Sequence, residues 1–433
     1  MLSIESSSTS PLDTHRVINS VLTQIGFIWL LFVFADMLFK LMQTFPTHYT
    51  WTEFFINYQT GFIRRGLIGE ISYRLAWLVN PMTFWVTIVG GCYLFTLRWY
   101  LDIAYGFNFI TILFAILTPT LIIFPLYAPD IFGRKDVLIL FTTTLIAKTS
   151  RSLLQRKVTP LTANATYAAL ILLYSILFLT HEIILFFIPM QLYMLGIAFH
   201  RKGQLKIALS WSISICIIVF FASYYLCGIP TSLARAHKIC ESWQNIIPSF
   251  PLDILLSQKN AFYYLGLTPD ELGKLIWELM RPSATIEMYL AGLLLAYAPI
   301  AYLLVRYRRV LLSQKNNNTR LANIVISISL MVPYILFFSG QDYGRWIHLI
   351  TFHWFIFLMF LLSANNYAST SSLIIEDSFT NYTQYYNRHQ NKAVFYLLLL
   401  LLYFTSWRLT HWVPPGAYPL RGFLLTIGKI LIF

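Results

Sequence analysis

Charged residues in this chain are confined to short clusters, and long apolar runs separate them. Only 11% of the 433 residues are Asp, Glu, Lys or Arg, while 57% are hydrophobic and the mean hydropathy is +0.63. Apolar runs of about 20 residues can cross a bilayer as helices, and such runs recur along the whole chain. A hydrocarbon interior demands that the backbone satisfy itself, which selects helices for these runs. The chain therefore reads as an all-α, polytopic helical membrane protein, a single integral membrane domain over residues 1–433. In such a protein each charge is costly unless it is paired, wet or in use. Four clusters meet that condition together: Asn57–Glu70 (NYQTGFIRRGLIGE), Pro129–Asp136 (PDIFGRKD), His181-Glu182 and Gln341–Trp346 (QDYGRW).

The apolar runs fall at about 18–43, 82–101, 108–127, from Val137, then 163–180, 183–199, 207–227, 288–306, 322–339, 347–364 and 393–410. An apolar tail at 420–433 brings the expectation to about eleven or twelve transmembrane helices. The first run is too long for a cleaved signal peptide and reads as an uncleaved anchor. The loops Lys148–Lys157, His200–Lys206 and Arg306–Arg320 are almost purely basic and share one side by parity. Retained Lys and Arg mark that side, and the N-terminus with it, as cytoplasmic. The same loops account for the net charge of +13, so nucleic acid is excluded as a partner and the lipid bilayer is expected.

The fourth run is the weak link, because Val137–Ala147 holds only about eleven apolar residues where a crossing needs roughly 20. If it crosses, by continuing through Ser152–Leu154, the Asn57–Glu70 and Pro129–Asp136 clusters face outward. If it does not, both face the cytoplasm. Both clusters mix acid with base, unlike the basic inner loops, which favours crossing and gathers most carboxylates outside.

One large extracytoplasmic loop is expected at 228–286. Within it Thr268-Pro269-Asp270-Glu271 spells a helix start, with Thr as cap, Pro first and Glu three residues on. Leu272, Leu275, Ile276 and Leu279 then form one apolar stripe, a helix suited to lie along the membrane surface. Arg235, His237, Lys238, Lys259 and Arg281 are interleaved there with Trp243, Phe250, Phe262 and Tyr263. That mixture suits an anionic head group joined to sugar rings. Cys227 and Cys240 bracket the start of the loop and could be bridged if it faces outward. Cys92 and Cys216 read as buried small hydrophobes.

Among the clusters, Arg64-Arg65-Gly66 can present two guanidinium groups to a diphosphate, and Glu70, with Glu53 nearby, is a candidate base. Arg134 and Lys135 add cations. His181 can take a proton near neutral pH, with Glu182 beside it to orient or recharge it. Asp342 and Arg345 stand at a helix entrance with His348 one turn on. Asp36 and Lys40, four apart, read as a structural ion pair. No glycine-rich nucleotide loop, GxSxG, HExxH or DxD pattern occurs, and no metal or cofactor is implied. Without a nucleotide-sugar site, a glycosyl donor would be lipid-linked.

The organisation resembles extracytoplasmic, polyprenyl-phosphate-using membrane glycosyltransferases, including the Wzy-type O-antigen and capsule polymerases. The likeness is one of architecture: eleven or so spans, a late outer loop with basic residues and a surface helix, and outward arginines. Arg281 and Gly292 are also spaced like an Arg-x10-Gly pattern of polymerase loops. The resemblance implies a bacterial inner-membrane enzyme whose substrate is a polyprenyl-phosphate-linked glycan, working beside other glycan-assembly proteins. Arg64, Arg65, Arg134, Lys135, Arg235, Arg281, Arg345 and His348 would then bind substrate, and His181, Glu182, Asp342 or Glu70 would do acid–base work. A flippase or transporter of the same lipid-linked glycans is the competing reading. It would place charges along both halves and at the midplane.

Overall fold

The computed structural model describes residues 11–227, 232–248, 250, 252, 260–267, 270–271, 273–274, 283–308, 329, 331–338, 342–368 and 390–409. Among these the chain is helical throughout, apart from turns and one isolated bridge between Gln59 and Gly61. The first half runs α1 Pro11–Gln43, α2 Tyr49–Phe54, α3 Leu67–Leu75, α4 Pro81–Tyr105, α5 Phe109–Leu117, α6 Phe124–Tyr127, α7 Asp136–Gln155 and α8 Pro160–Thr180. The second half runs α9 Ile188–Arg201, α10 Leu205–Cys227, α11 Leu233–Gln244, α12 Ala261–Gly266, α13 Ser283–Ala296, α14 Ala298–Arg306, α15 Tyr343–Ala368 and α16 Gln390–Ser406. Among the described residues six stretches are long and apolar enough to cross a membrane: Val17–Gln43, Asp136–Gln155, Pro160–Thr180, Leu205–Tyr225, Tyr289–Arg306 and Tyr343–Ala364. The chain is a membrane-embedded, multi-pass helical protein.

The doubtful fourth run forms α7, a continuous helix of 20 residues. At 1.5 Å per residue it is about 30 Å long, the thickness of a hydrocarbon core. It stands at the centre of the bundle, packed against α4, α9 and α15. Its length comes from Thr142, Thr143 and Thr144, which bond back to carbonyls one turn earlier, so polar residues continue the helix without exposing hydroxyls.

The third run departs from expectation. Its helix α5 stops after nine residues, and Thr118 turns extended at φ −68°, ψ 124°. Pro119 explains the stop: a residue before proline is pushed out of the helical region, and proline itself lacks a donor. The chain then folds through a buried turn into α6. The sixth run opens as a 3-10 turn, Glu182–Phe186, before α9. Of the ninth run, Val332–Phe338 is a 3-10 segment; most of the rest lies outside the described residues, as do the tail 420–433, Arg281 and most of the expected 268–279 surface helix.

Lipid-facing and interior-facing surfaces separate cleanly. On α10, Ile213, Ile217, Phe220, Phe221 and Tyr224 are exposed, as expected of a helix at the bundle's rim. On α15, Ile347, Ile350, Phe352, Phe355 and Phe360 are all buried. Asp36 and Lys40 pair at 2.6 Å on α1, the structural role expected of them. Cys240 is a free, fully buried thiol in α11, so no bridge to Cys227 is formed.

Candidate functional site

All four charged clusters meet at one end of the bundle. The site is assembled from the N-terminal ends of α7 and α15, the chain just past the C-terminal end of α8, and the segment from α2 to α3. Asp136, in the first turn of α7, accepts two bonds from Arg345 of α15, at 2.5 and 2.8 Å. A carboxylate in a helix's first turn also faces the positive end of the helix dipole. Asp136 and Arg345 each lie within hydrogen-bond distance of His181 Nε2, at 3.1 and 3.0 Å. That nitrogen donates to Asp136 or accepts from Arg345 according to its tautomer. Arg345 also donates to Asp342 at 2.8 Å, and Asp342 lies 3.5 Å from Arg134. Arg134 in turn donates to Glu53 at 2.9 Å and packs over the Tyr49 ring, 4.5 Å from its centroid.

A second limb holds Arg65. Its guanidinium donates three bonds to Glu182, from Nε at 2.8 Å to both oxygens and from Nη2 at 2.6 Å. Its carbonyl accepts from Lys135 Nζ at 2.8 Å. Arg65 is in the left-handed region at φ 64°, the one non-glycine residue there among those described. Such a conformation costs of order 1 kcal/mol or more and persists where the surroundings enforce it. Lys135, which has no exposed surface, supplies part of that enforcement.

The loop around Arg65 is built by close packing. A Cβ on Gly69 would stand 1.9 Å from the Ile56 carbonyl oxygen and 2.6 Å from that of Phe54, so only glycine lets α3 approach this strand of chain. Gly133, at φ 78°, makes the turn that delivers Arg134, Lys135 and Asp136 together. Helix α11 packs against the same region, with Trp243 donating to the Phe55 carbonyl at 2.7 Å and Asn57 to Ser242 at 3.0 Å.

Burial sets the protonation states. Glu53 is 1% exposed; burial alone would raise its pKa, but Arg134 and Arg345 outweigh it and hold it down to about 2. Burial likewise opposes ionisation of Glu182, and Arg65 overcomes it, leaving Glu182 well below the usual carboxylate range. Lys135 is pushed down to about 7, chiefly by burial and with Arg65 adding to it, while Glu53 and Glu182 resist. Burial keeps His181 below its ordinary value despite Asp136. Four carboxylates (Glu53, Asp136, Glu182, Asp342) thus face four basic side chains (Arg65, Arg134, Lys135, Arg345). A buried set of this kind survives because its charges are mutually compensated and hydrogen-bonded.

Several expected residues take other roles. Glu70 is not part of the network: it accepts from the Tyr58 amide at 2.9 Å, from Gln59 at 3.1 Å and from Arg74 at 2.7 Å, closing the 58–70 loop. His348 is a packed histidine rather than a substrate contact, with Nδ1 2.9 Å from the Thr120 carbonyl and its ring stacked 4.6 Å from Phe124. Arg235 lies beside Gly61 at the edge of the site, and Arg64 is half-buried and adds to the positive field at Glu182. Sequence reasoning gave Asp136 no role and Glu53 a minor one; both are central. The signal for Glu53 was a lone acid inside the aromatic run Tyr49–Phe55.

Below the network a neutral polar chain continues into the bundle. Gln191 donates to Thr143 at 2.7 Å, and Thr143 meets His353 Nε2 at 2.5 Å. His353 Nδ1 is bonded to the Leu349 carbonyl at 2.6 Å, so Nε2 of the neutral ring can accept, and the single Thr143 hydroxyl proton goes either to it or to the Ile139 carbonyl.

No protein-family model, curated protein or solved structure matches this chain.

Proposed function

We propose that this protein transfers a sugar or oligosaccharide repeat from a polyprenyl-(di)phosphate carrier at the extracytoplasmic face of a bacterial inner membrane, in O-antigen, capsule or exopolysaccharide assembly. The observation that carries the reading is the convergence of all four charged clusters at one end of the bundle. The basic loop after α7 lies at the other end of that helix, about 30 Å away. By the positive-inside rule that other end is cytoplasmic and the converged site faces out.

The roles follow from chemistry. A diphosphate leaving group gathers negative charge in the transition state, and Arg65, with Arg64 next to it in the chain, would receive it. The attacking sugar hydroxyl must lose a proton, and the accessible carboxylates are Glu182 and Asp342, at 25% and 22% side-chain exposure. Glu53, Asp136 and Arg345 are buried and hold the others in place. A transporter would need charges distributed to the midplane; the described ion network stands at helix ends, and the polar chain beneath it is built from neutral partners.

The test is the surface glycan of a strain lacking this protein. Single repeats on the lipid anchor are expected for a polymerase, and loss of one sugar for a monosaccharide transferase. Inward-facing accumulation of complete lipid-linked glycan would replace the reading with a flippase, and an unchanged surface glycan would remove it.

A further inference from the structure

The ion pairs of the site differ in exposure. Arg134–Glu53 and Arg345–Asp136 are sealed, with side chains at 1–7% exposure, and Asp342, at 22%, pairs with the sealed side chains of Arg345 and Arg134. Arg65–Glu182 is open on both sides, at 26% and 25%, and its guanidinium makes three bonds to the carboxylate. A bidentate guanidinium–carboxylate pair has the same shape and donor pattern as guanidinium–phosphate. The backbone of Arg65 is fixed by Lys135 on its carbonyl, whereas its side chain, 26% exposed, is held by Glu182. Each cation of the site already faces a carboxylate or a carbonyl, so an incoming anion gains most by displacing a carboxylate.

The geometry points to a substrate-released latch: a phosphate group on the ligand takes Arg65 from Glu182, and the freed Glu182 becomes the base. This rests on the transfer reading for its second half only. Arg65 holds Glu182 well below the usual carboxylate range, which makes it a poor base while latched. Once Arg65 turns to phosphate, that hold is lost and burial, which opposes the charged form, raises the proton affinity of Glu182. In the transfer step the acceptor hydroxyl oxygen forms a bond to the anomeric carbon. The bond from that carbon to the phosphate oxygen breaks, its electron pair leaves with the diphosphate facing Arg65, and the hydroxyl proton ends on Glu182. The latch keeps the base inactive until a phosphorylated donor is seated, which would limit hydrolysis of the donor by water.

The diagnostic variant is Glu182→Gln in the full-length protein. Removing the competing carboxylate should tighten phosphate binding roughly three- to tenfold, the worth of a partly exposed pair, while transfer falls at least about tenfold. A merely structural ion pair predicts the opposite sign for binding, because Arg65 would lose its support. Inorganic pyrophosphate and polyprenyl monophosphate titrated in neutral detergent, and phosphatidylcholine nanodiscs with and without phosphatidylglycerol, separate a free anion, the carrier and a bilayer headgroup as the source of that phosphate. Tightening with any of these supports the latch; unchanged or weaker binding with all of them overturns it. In wild-type protein a second measurement avoids the variant: labelling of Glu182 by a carboxyl-directed diazo reagent should rise when pyrophosphate is added, and constant or reduced labelling contradicts the latch. Tightened binding beside a normal surface glycan in the deletion strain would remove the transfer reading and leave the latch. Altered glycan without tightening would do the reverse.

Discussion

The two ends of α7 carry similar charge and put it to different use. At the N-terminal end Arg134, Lys135 and Asp136 are all buried and reach α2, the α2–α3 loop, the end of α8 and α15. In the C-terminal half, about two turns before the helix ends, Lys148 pairs with Asp102 of α4, and both side chains are over a third exposed. Arg151 adds a bond to the Asp102 carbonyl at 3.2 Å. One end is a network whose partners come from four other segments; the other is a partly exposed pair between α7 and α4. The contrast shows that charge clustering alone does not mark a site in such a protein. Convergence of clusters from distant segments into a buried, mutually compensated set does.

The contrast can be broken most forcefully at Arg345. Arg345→Ala leaves Asp136 buried without its cation, and a loss of about 3–5 kcal/mol is expected, read as a large drop in the thermal unfolding midpoint in detergent. A drop as small as that of a surface variant would mean the network is wetter than described. Gly69→Ala attacks the packing that shapes the Arg65 loop. Because the added methyl meets backbone oxygens that cannot rotate away, a cost of about 1–3 kcal/mol is expected by the same measurement.

Acid should discriminate the two ends as well. Glu53 is held down to about 2, so its contribution is complete above the ordinary value of 4.5 and is lost as pH falls from there toward 2. Wild type should therefore lose unfolding temperature steeply over that range, and Glu53→Gln should be less stable at pH 7 with a shallower acid slope. Equal slopes would remove Glu53 from the account. At the far end Asp102→Asn should cost less than about 1 kcal/mol, as exposed pairs do.

Much of this was legible in the sequence, and what was missed has a physical reason. The clusters, the all-helical membrane fold, the Asp36–Lys40 pair and the Asp342–Arg345 contact are local, set by runs and spacings. The links that make the site are not: Arg345 and Asp136 are 209 positions apart, and Arg65 and Glu182 are 117 apart. Which carboxylate meets which cation depends on how α7, α8 and α15 pack, and no spacing rule contains that. Glu70 looked catalytic because it sits near two arginines, yet its turn geometry commits it to Tyr58 and Gln59. The fourth run looked too short to cross because Lys148 and Arg151 end its apolar stretch, whereas the helix carries on past them to Gln155.

The central claim is that the converged end is where glycan chemistry occurs, and the surface glycan of two complemented deletion strains tests it most directly. With protein levels matched, Arg65→Ala should abolish long-chain glycan, while Lys148→Ala at the other end of α7 should leave it intact. Normal long-chain glycan in the Arg65→Ala strain would contradict the account.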